Sequence, residues 1–124
     1  MTVTLGPLTQ IARRVERLDR ARGFFRDSLG MTELYSFPGI AFFALGAARL
    51  MLRETGTRDE ADILYFHVSD IRGRQAALGH RNVTFIGEPH LIHRHNDGTD
   101  EWMTFFEDDE GRTLALAESI KPDL

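Results

Sequence analysis

Five histidines carry most of the acid-base potential of this 124-residue chain, which has no cysteine. Ile63, Tyr65 and His67 alternate along one short run, which places all three side chains on one face of a strand. His67 then has two readings. It is a hydrogen-bond donor or general acid or base, and so the catalytic candidate, or it is a satisfied structural histidine, because no sequence-local carboxylate identifies a catalytic partner. His90, His93 and His95 form a second group, suited by chemistry to metal binding or proton exchange near neutral pH. On an extended strand His93 and His95 share a face and His90 points away, so the three converge only across a bulge or turn. They divide between polar edge-strand or pocket-mouth residues and a partial metal or ligand contact. Arg49, Met51 and Arg53 also alternate, and either arginine can meet an anionic ligand or end in water or a salt bridge. Trp102 belongs to a core or interface, or lines a ligand pocket. The acidic run Glu107 to Glu110 lacks the alternating oxygens and terminal acid of a calcium loop, and reads as a solvated turn.

The elements that position these residues are written twice. Leu8 to Arg14 reads as a strand whose adjacent Arg13 and Arg14 keep its end wet; Leu18, Ala21, Phe25 and Leu29 then recur at helical spacing, with Phe25 as a core anchor and Gly30 as the stop. Three short strands follow, Thr32 to Phe37, Ile40 to Leu45 and Ala48 to Arg53, punctuated by Pro38-Gly39 and Gly46. Glu54 to Ala61 is a polar link. The second copy opens with Ile63 to Val68, and a helix capped by Ser69 or Asp70 runs toward Leu78, interrupted by Gly73. Val83 to Ile86 with an extension through His93, then Trp102 to Phe106, then Thr113 to Ala117 complete it; Asn96-Asp97-Gly98 marks a tight turn and Ser119 to Leu124 a loose tail. Phe42-Phe43 and Phe105-Phe106 occupy matching places, and one of each pair should pack beneath a helix. A repeat of this kind implies matching half-sheets around a shared cleft.

Composition sets the outer limits. Apolar residues make up 42% and charged residues 27%, an ordinary globular balance, and no apolar run approaches the length of a membrane span. Neither half is long enough to bury a good core alone, so one folding unit is expected. Met1 to Pro7 has no basic start followed by an apolar stretch, so no secretory signal is expected and the cytosol is the default compartment. Without cysteine, disulfides and thiolate chemistry are excluded. A formal charge of −4 argues against a general nucleic-acid-binding surface.

The element order, Val15-x-x-Leu18 and Val68-x-x-Ile71 at the helix entrances, and the stretch from Trp102 to Gly111 together resemble the vicinal oxygen chelate superfamily. That group includes glyoxalases, extradiol dioxygenases, fosfomycin-resistance enzymes and bleomycin-binding proteins. The resemblance covers nearly the whole chain and departs at Asp108-Asp109-Glu110-Gly111, where many relatives have Asp-Pro-Asp-Gly. It implies an α+β fold, a single domain over 1–124 made of two paired β-α-β-β-β modules, about 8–53 and 62–118, forming a curved mixed sheet around a cleft. In metal-using relatives the ligands come from the first and last strands of each module, which the resemblance places at Gln10, Ile63, Met51 and Ala115. Three of these cannot serve as ordinary ligands to a hard metal, and Gln10 offers only a neutral amide oxygen. Glu54 and Glu118 lie three residues beyond Met51 and Ala115, an odd displacement that faces the other way.

The resemblance therefore implies a small-molecule-binding protein, or a divergent glyoxalase or bleomycin-resistance-like protein, that has lost the usual metal site and needs no cofactor. Gln10 would orient a polar ligand, Arg53 counter an anion, Tyr65 and His67 supply hydrogen bonds, and Ile63 and Ala115 an apolar wall, with Trp102 as a further ligand contact. The alternative is a lyase, isomerase or dioxygenase that holds a divalent metal through noncanonical ligands, such as Gln10 with His67 or a later histidine. A third reading is a cofactor-free enzyme using His67. A homodimer is implied, with a small molecule rather than nucleic acid or membrane as partner.

Overall fold

The computed structural model describes residues 9–57 and 63–123. The chain divides into two compact units, Met1–Asp59 and Glu60–Leu124. In the first, β1 (Gln10–Val15) leads into α1 (Leu18–Gly23), which continues as a π-wound turn over Phe24–Ser28, and then into β2 (Glu33–Phe37), β3 (Ile40–Leu45) and β4 (Ala48–Glu54). The second repeats this with β5 (Tyr65–His67), α2 (Ile71–Gly79), β6 (His90–Arg94), β7 (Asp100–Glu107) and β8 (Thr113–Ile120). Each unit holds a four-stranded mixed sheet, in the order β1-β4-β3-β2 and β5-β8-β7-β6. The first and last strands of each module run parallel, because a helix separates the first strand from the rest, and the remaining pairs are antiparallel. The expected α+β architecture of two β-α-β-β-β modules is thus present, its strands shared between two sheets.

Alternation decides which side of each sheet the helix covers. Val15, Ala41, Phe43, Leu50 and Leu52 point to the α1 side, where they are closed off by Leu18, Ala21 and Phe25. Phe25 lies 6.0 Å from Phe43 between ring centroids. In the second unit Thr104, Phe106, Leu114 and Leu116 take the equivalent places beneath Ile71 and Leu78. One phenylalanine of each pair, Phe43 and Phe106, does pack beneath its helix, and the other faces away. Gly30, at φ +74, stops the first helix and lets the Met31 amide donate to the Phe25 carbonyl at 3.0 Å.

The odd-numbered displacement at the end of the last strands has a structural use. Glu54 reaches back to accept from the Leu18 amide at 2.9 Å, and Glu118 accepts from the amides of Asp70 and Ile71, each at 2.9 Å. Both carboxylates sit at helix N-termini, where unpaired N–H groups and the helix dipole favour negative charge. Asp70, rather than Ser69, is the cap residue, with φ +59 and its side chain accepting from the Gly73 amide at 3.2 Å. Gly73 does not interrupt the helix. It makes the cap possible, since a Cβ there would lie 2.2 Å from the Asp70 carboxylate.

Four sequence expectations are corrected. Arg13 is not wet: its strand parity matches Val15 and Leu52, so it lies on the helix side at 1% exposure, and it is not without a partner there. The acidic turn is not simply solvated. Asp108 is buried and accepts from the amides of Glu110 and Arg112 and from Arg112 Nε at 3.2 Å. Ser119 and Ile120 belong to β8, so the tail begins later, and Pro122 approaches Gly98. Before β6, the expected strand at Val83 to Ile86 is reduced to a single bridge, Phe85 to Phe106. The start of the first strand at Leu8, the link beyond residue 57, the start of the second module at 62 and the final Leu124 lie outside the described residues.

Candidate functional site

In both sheets the helix covers one side, and the chemistry gathers on the other. The register of the first sheet arranges its open side in three rows. Gln10, Arg49 and Ala44 make the first row; Ala12, Met51, Phe42 and Tyr35 the second; Arg14, Arg53, Ile40 and Phe37 the third. Gln10 and Arg53, both expected site residues, therefore share a face. The Gln10 amide oxygen accepts from Arg49 Nε at 2.7 Å, while its nitrogen faces the Met51 sulfur at 3.8 Å. Arg49 also lies over the Phe42 ring, 5.7 Å from its centroid. Arg53 makes no side-chain hydrogen bond or ion pair among the described residues and borders a cavity of about 130 Å³, lined by Ala12, Arg13, Arg14, Met51 and Arg53.

Two residues of this face escaped the sequence reading. Tyr35 and Phe37 stand 46% and 59% exposed, and with Phe42 they form a three-ring cluster. Tyr35 stacks on Phe42 at 4.6 Å and 29°, and Phe37 meets Phe42 edge-on at 6.5 Å. The signal was there in the alternation of Tyr35 and Phe37 and in the Pro38-Gly39 turn, which sets Phe37 opposite Ile40 and Tyr35 opposite Phe42. Exposed aromatic rings of this size are unusual unless they meet something.

In the second unit Tyr65, His67 and Ala115 share the open side of their sheet with Met103 and Phe105. Tyr65 is exposed and meets Phe105 edge-on at 6.4 Å, while Ala115 is buried. His67 is exposed and makes no side-chain hydrogen bond or ion pair among the described residues. Ile63 precedes β5 and is 40% exposed. Trp102 is on the opposite side of this sheet from Tyr65 and Ala115. Its parity is that of Thr104 and Phe106, and it carries Arg72 of α2 over its ring at 5.6 Å. The alternation of the strand, readable from Phe106 outward, was the signal for that placement.

The later histidines are rearranged by one irregularity. A register shift between Leu91 and His93 sets His90 opposite Met103 and His93 opposite Glu101, so His90 and His93 share a face that a regular strand would deny them. His93 and His95 meet edge-on at 4.7 Å, and His95 Nε2 lies 2.7 Å from Glu101. The hydroxyl of Ser119, followed by His95, holds the Glu101 carboxyl below its ordinary value. Among the described residues no group of three or more His, Cys, Asp or Glu is placed to hold a metal ion.

Comparison with known proteins gives a consistent picture. The family model described as "Glyoxalase/Bleomycin resistance protein/Dioxygenase superfamily" matches residues 8–116. Among solved structures, an integron cassette protein from the mobile metagenome of V. cholerae aligns with a TM-score of 0.76 at 16% identity, over 95% of this chain and 98% of that one. A lactoylglutathione lyase from Agrobacterium tumefaciens aligns with a TM-score of 0.69 at 20% identity, over 92% and 94%. A glyoxalase/bleomycin resistance protein/dioxygenase from Nocardioides gives 0.73 at 17%, over 99% and 91%. At these identities the likeness is one of fold. No match is found among curated proteins.

Proposed function

The chain belongs to the Glyoxalase/Bleomycin resistance protein/Dioxygenase superfamily, and we propose that within it this protein binds a small molecule without the metal that many relatives use. The observation that carries this reading is the state of Gln10. Its amide oxygen, the one hard donor at the four positions where metal-using relatives place ligands, already accepts from a guanidinium at 2.7 Å. A divalent cation beside Gln10 would face the fixed positive charge of Arg49, and the other three positions offer a thioether and two hydrocarbons. Such a donor set does not fit a hard metal. Taken unit by unit, the candidate ligand contacts in this reading are Gln10 and Arg53 in the first, and Ile63, Tyr65, His67 and Ala115 in the second. His67 supplies a hydrogen bond or, if turnover exists, a proton. A homodimer in the cytosol completes the proposal; the family suggests the dimer, and the charge of −4 speaks against nucleic acid. Among the described residues no helix is long and apolar enough to cross a membrane.

The competing reading, a lyase, isomerase or dioxygenase that holds a divalent metal through noncanonical ligands, is separated by one measurement. Elemental mass spectrometry of tag-free protein, before and after divalent-metal addition and buffer exchange, should find no stoichiometric metal. A thermal-shift screen of metal-free protein should still find stabilising small molecules. Near-stoichiometric metal that is lost when His67 or a later histidine is substituted would overturn the proposal.

A further inference from the structure

We infer that the open side of the first sheet binds a flat aromatic anion, its acid group on Arg53 and its ring on the Tyr35, Phe37 and Phe42 cluster. This deepens the small-molecule reading above and rests on it. Three observations converge. Arg53 is an exposed guanidinium with no anionic partner among the described residues, so it has charge to offer. It borders a cavity of about 130 Å³, lined also by Ala12, Arg14 and Met51, which leaves room for an acid group beside the guanidinium. The apolar surface beside it is aromatic and exposed: Tyr35 stacks on Phe42, and Phe37 stands edge-on to both with more than half its surface exposed.

The register fixes how large the ligand should be. Arg53, Ile40 and Phe37 lie opposite one another on three neighbouring strands. Adjacent strands are about 4.8 Å apart, so the first and third Cα atoms are separated by about 10 Å. A bicyclic aromatic acid spans that distance with its carboxylate at one end. Arg49 adds a second cation behind Phe42, and its Nε is already committed to Gln10, so Arg53 is the primary anion contact. Ring stacking supplies selectivity for flat bodies, and the guanidinium selectivity for anions over neutral isosteres.

Three probes separate these terms: 2-naphthoate, its neutral amide 2-naphthamide, and cyclohexanecarboxylate, each titrated into chelator-treated full-length protein labelled with ¹³C-methyl methionine. Met51 sits in the middle row of this face and Met103 on the open side of the other sheet, so the two methyl signals report which sheet is occupied. Naphthoate should move the Met51 signal and leave Met103 in place, and should bind about tenfold more tightly than either other probe. Arg53→Gln should remove about tenfold of the naphthoate affinity. Phe37→Ala, at an exposed position that the core does not need, should weaken naphthoate several-fold and leave cyclohexanecarboxylate unchanged. Equal affinity for naphthamide, an indifferent Arg53→Gln variant, or a shift at Met103 alone would overturn the inference. So would Phe37→Ala changing the mass in light scattering without changing affinity, because the face would then belong to a second copy of the chain. If naphthoate fails while other compounds stabilise the metal-free protein, the ligand class falls and the small-molecule reading stands. If every ligand needs added divalent metal, that broader reading falls as well.

Discussion

The two sheets match closely on their covered sides and differ on their open ones. Beneath the helices, Val15, Phe43, Leu50, Leu52 and Glu54 in the first unit correspond to Val68, Phe106, Leu114, Leu116 and Glu118 in the second. On the open sides, Ala12, Arg14, Met51 and Arg53 face Tyr65, His67, Ala115 and Ala117 across the same comparison. Only Phe42 and Phe105 keep their type. The covered sides are similar because both have the same task, burying one apolar face under one helix. The open sides carry no such requirement, so one has become cationic and aromatic and the other mostly histidine, tyrosine and small residues. The side that folding leaves unspecified is the one free to diverge.

That contrast can be broken at its strongest point by removing the buried rings. Phe43→Ala and Phe106→Ala should each cost about 3–5 kcal/mol in chemical denaturation, since both rings are fully buried. A large inequality would mean that the two covered sides are not equivalent. The helix caps sharpen the comparison next. Glu118→Ala removes the acceptor of two amides and should cost about 2 kcal/mol, and Glu54→Ala, the acceptor of one, about 1 kcal/mol. Hydrogen exchange at the Ile71 and Leu18 amides reports the two effects separately.

A pH titration gives a smaller difference. The Arg22 side chain, bonded to Glu33 at 2.6 and 2.9 Å, holds that carboxyl below the usual glutamate range. A depressed folded value means that the pair contributes stability above the ordinary glutamate pKa and loses it as pH falls through the folded value. Glu33→Gln should therefore lower stability near neutral pH, where the pair is charged, and change little once acid has protonated Glu33, which flattens the acid limb of the stability–pH curve. The smallest effect belongs to His67→Ala. At an exposed position with no bonded partner among the described residues, it should shift stability by less than about 0.5 kcal/mol, so any change in ligand affinity that it causes can be read as a contact.

Much of the scaffold was legible because periodicity encodes which side is covered. Ile40–Leu45 begins and ends where the turn residues Pro38-Gly39 and Gly46 say it should, and Gly98, at φ +90, closes the expected Asn96-Asp97-Gly98 turn with a 3.0 Å bond to the His95 carbonyl. Arg13 was misjudged because charge was given more weight than parity: Val15, two residues on, already assigned its side. Asp108 was misjudged because an acidic run looks wet until Arg112 folds back over it. Of the site, Arg53 could be read from alternation and Gln10 from the family resemblance, but the Gln10–Arg49 bond depends on two strands meeting across 39 residues, and the ring cluster depends on hairpin pairing. The placement of His90 beside His93 could not be read, because a bulge adds a residue without leaving a local mark in the sequence.

The bulges have a wider consequence. One edge strand of each sheet, β2 or β6, carries largely exposed side chains, and both of those strands slip register once, between Glu33 and Tyr35 and between Leu91 and His93. An edge with an unbroken ladder of free N–H and C=O groups invites another chain to add a strand, and Leu34, Tyr35, Leu91 and Ile92 would make that addition sticky. A slipped register spoils the template, since an incoming strand that pairs on one side of the bulge is out of step on the other. The same irregularity that gathers the histidines thus interrupts the edge as a template for strand addition.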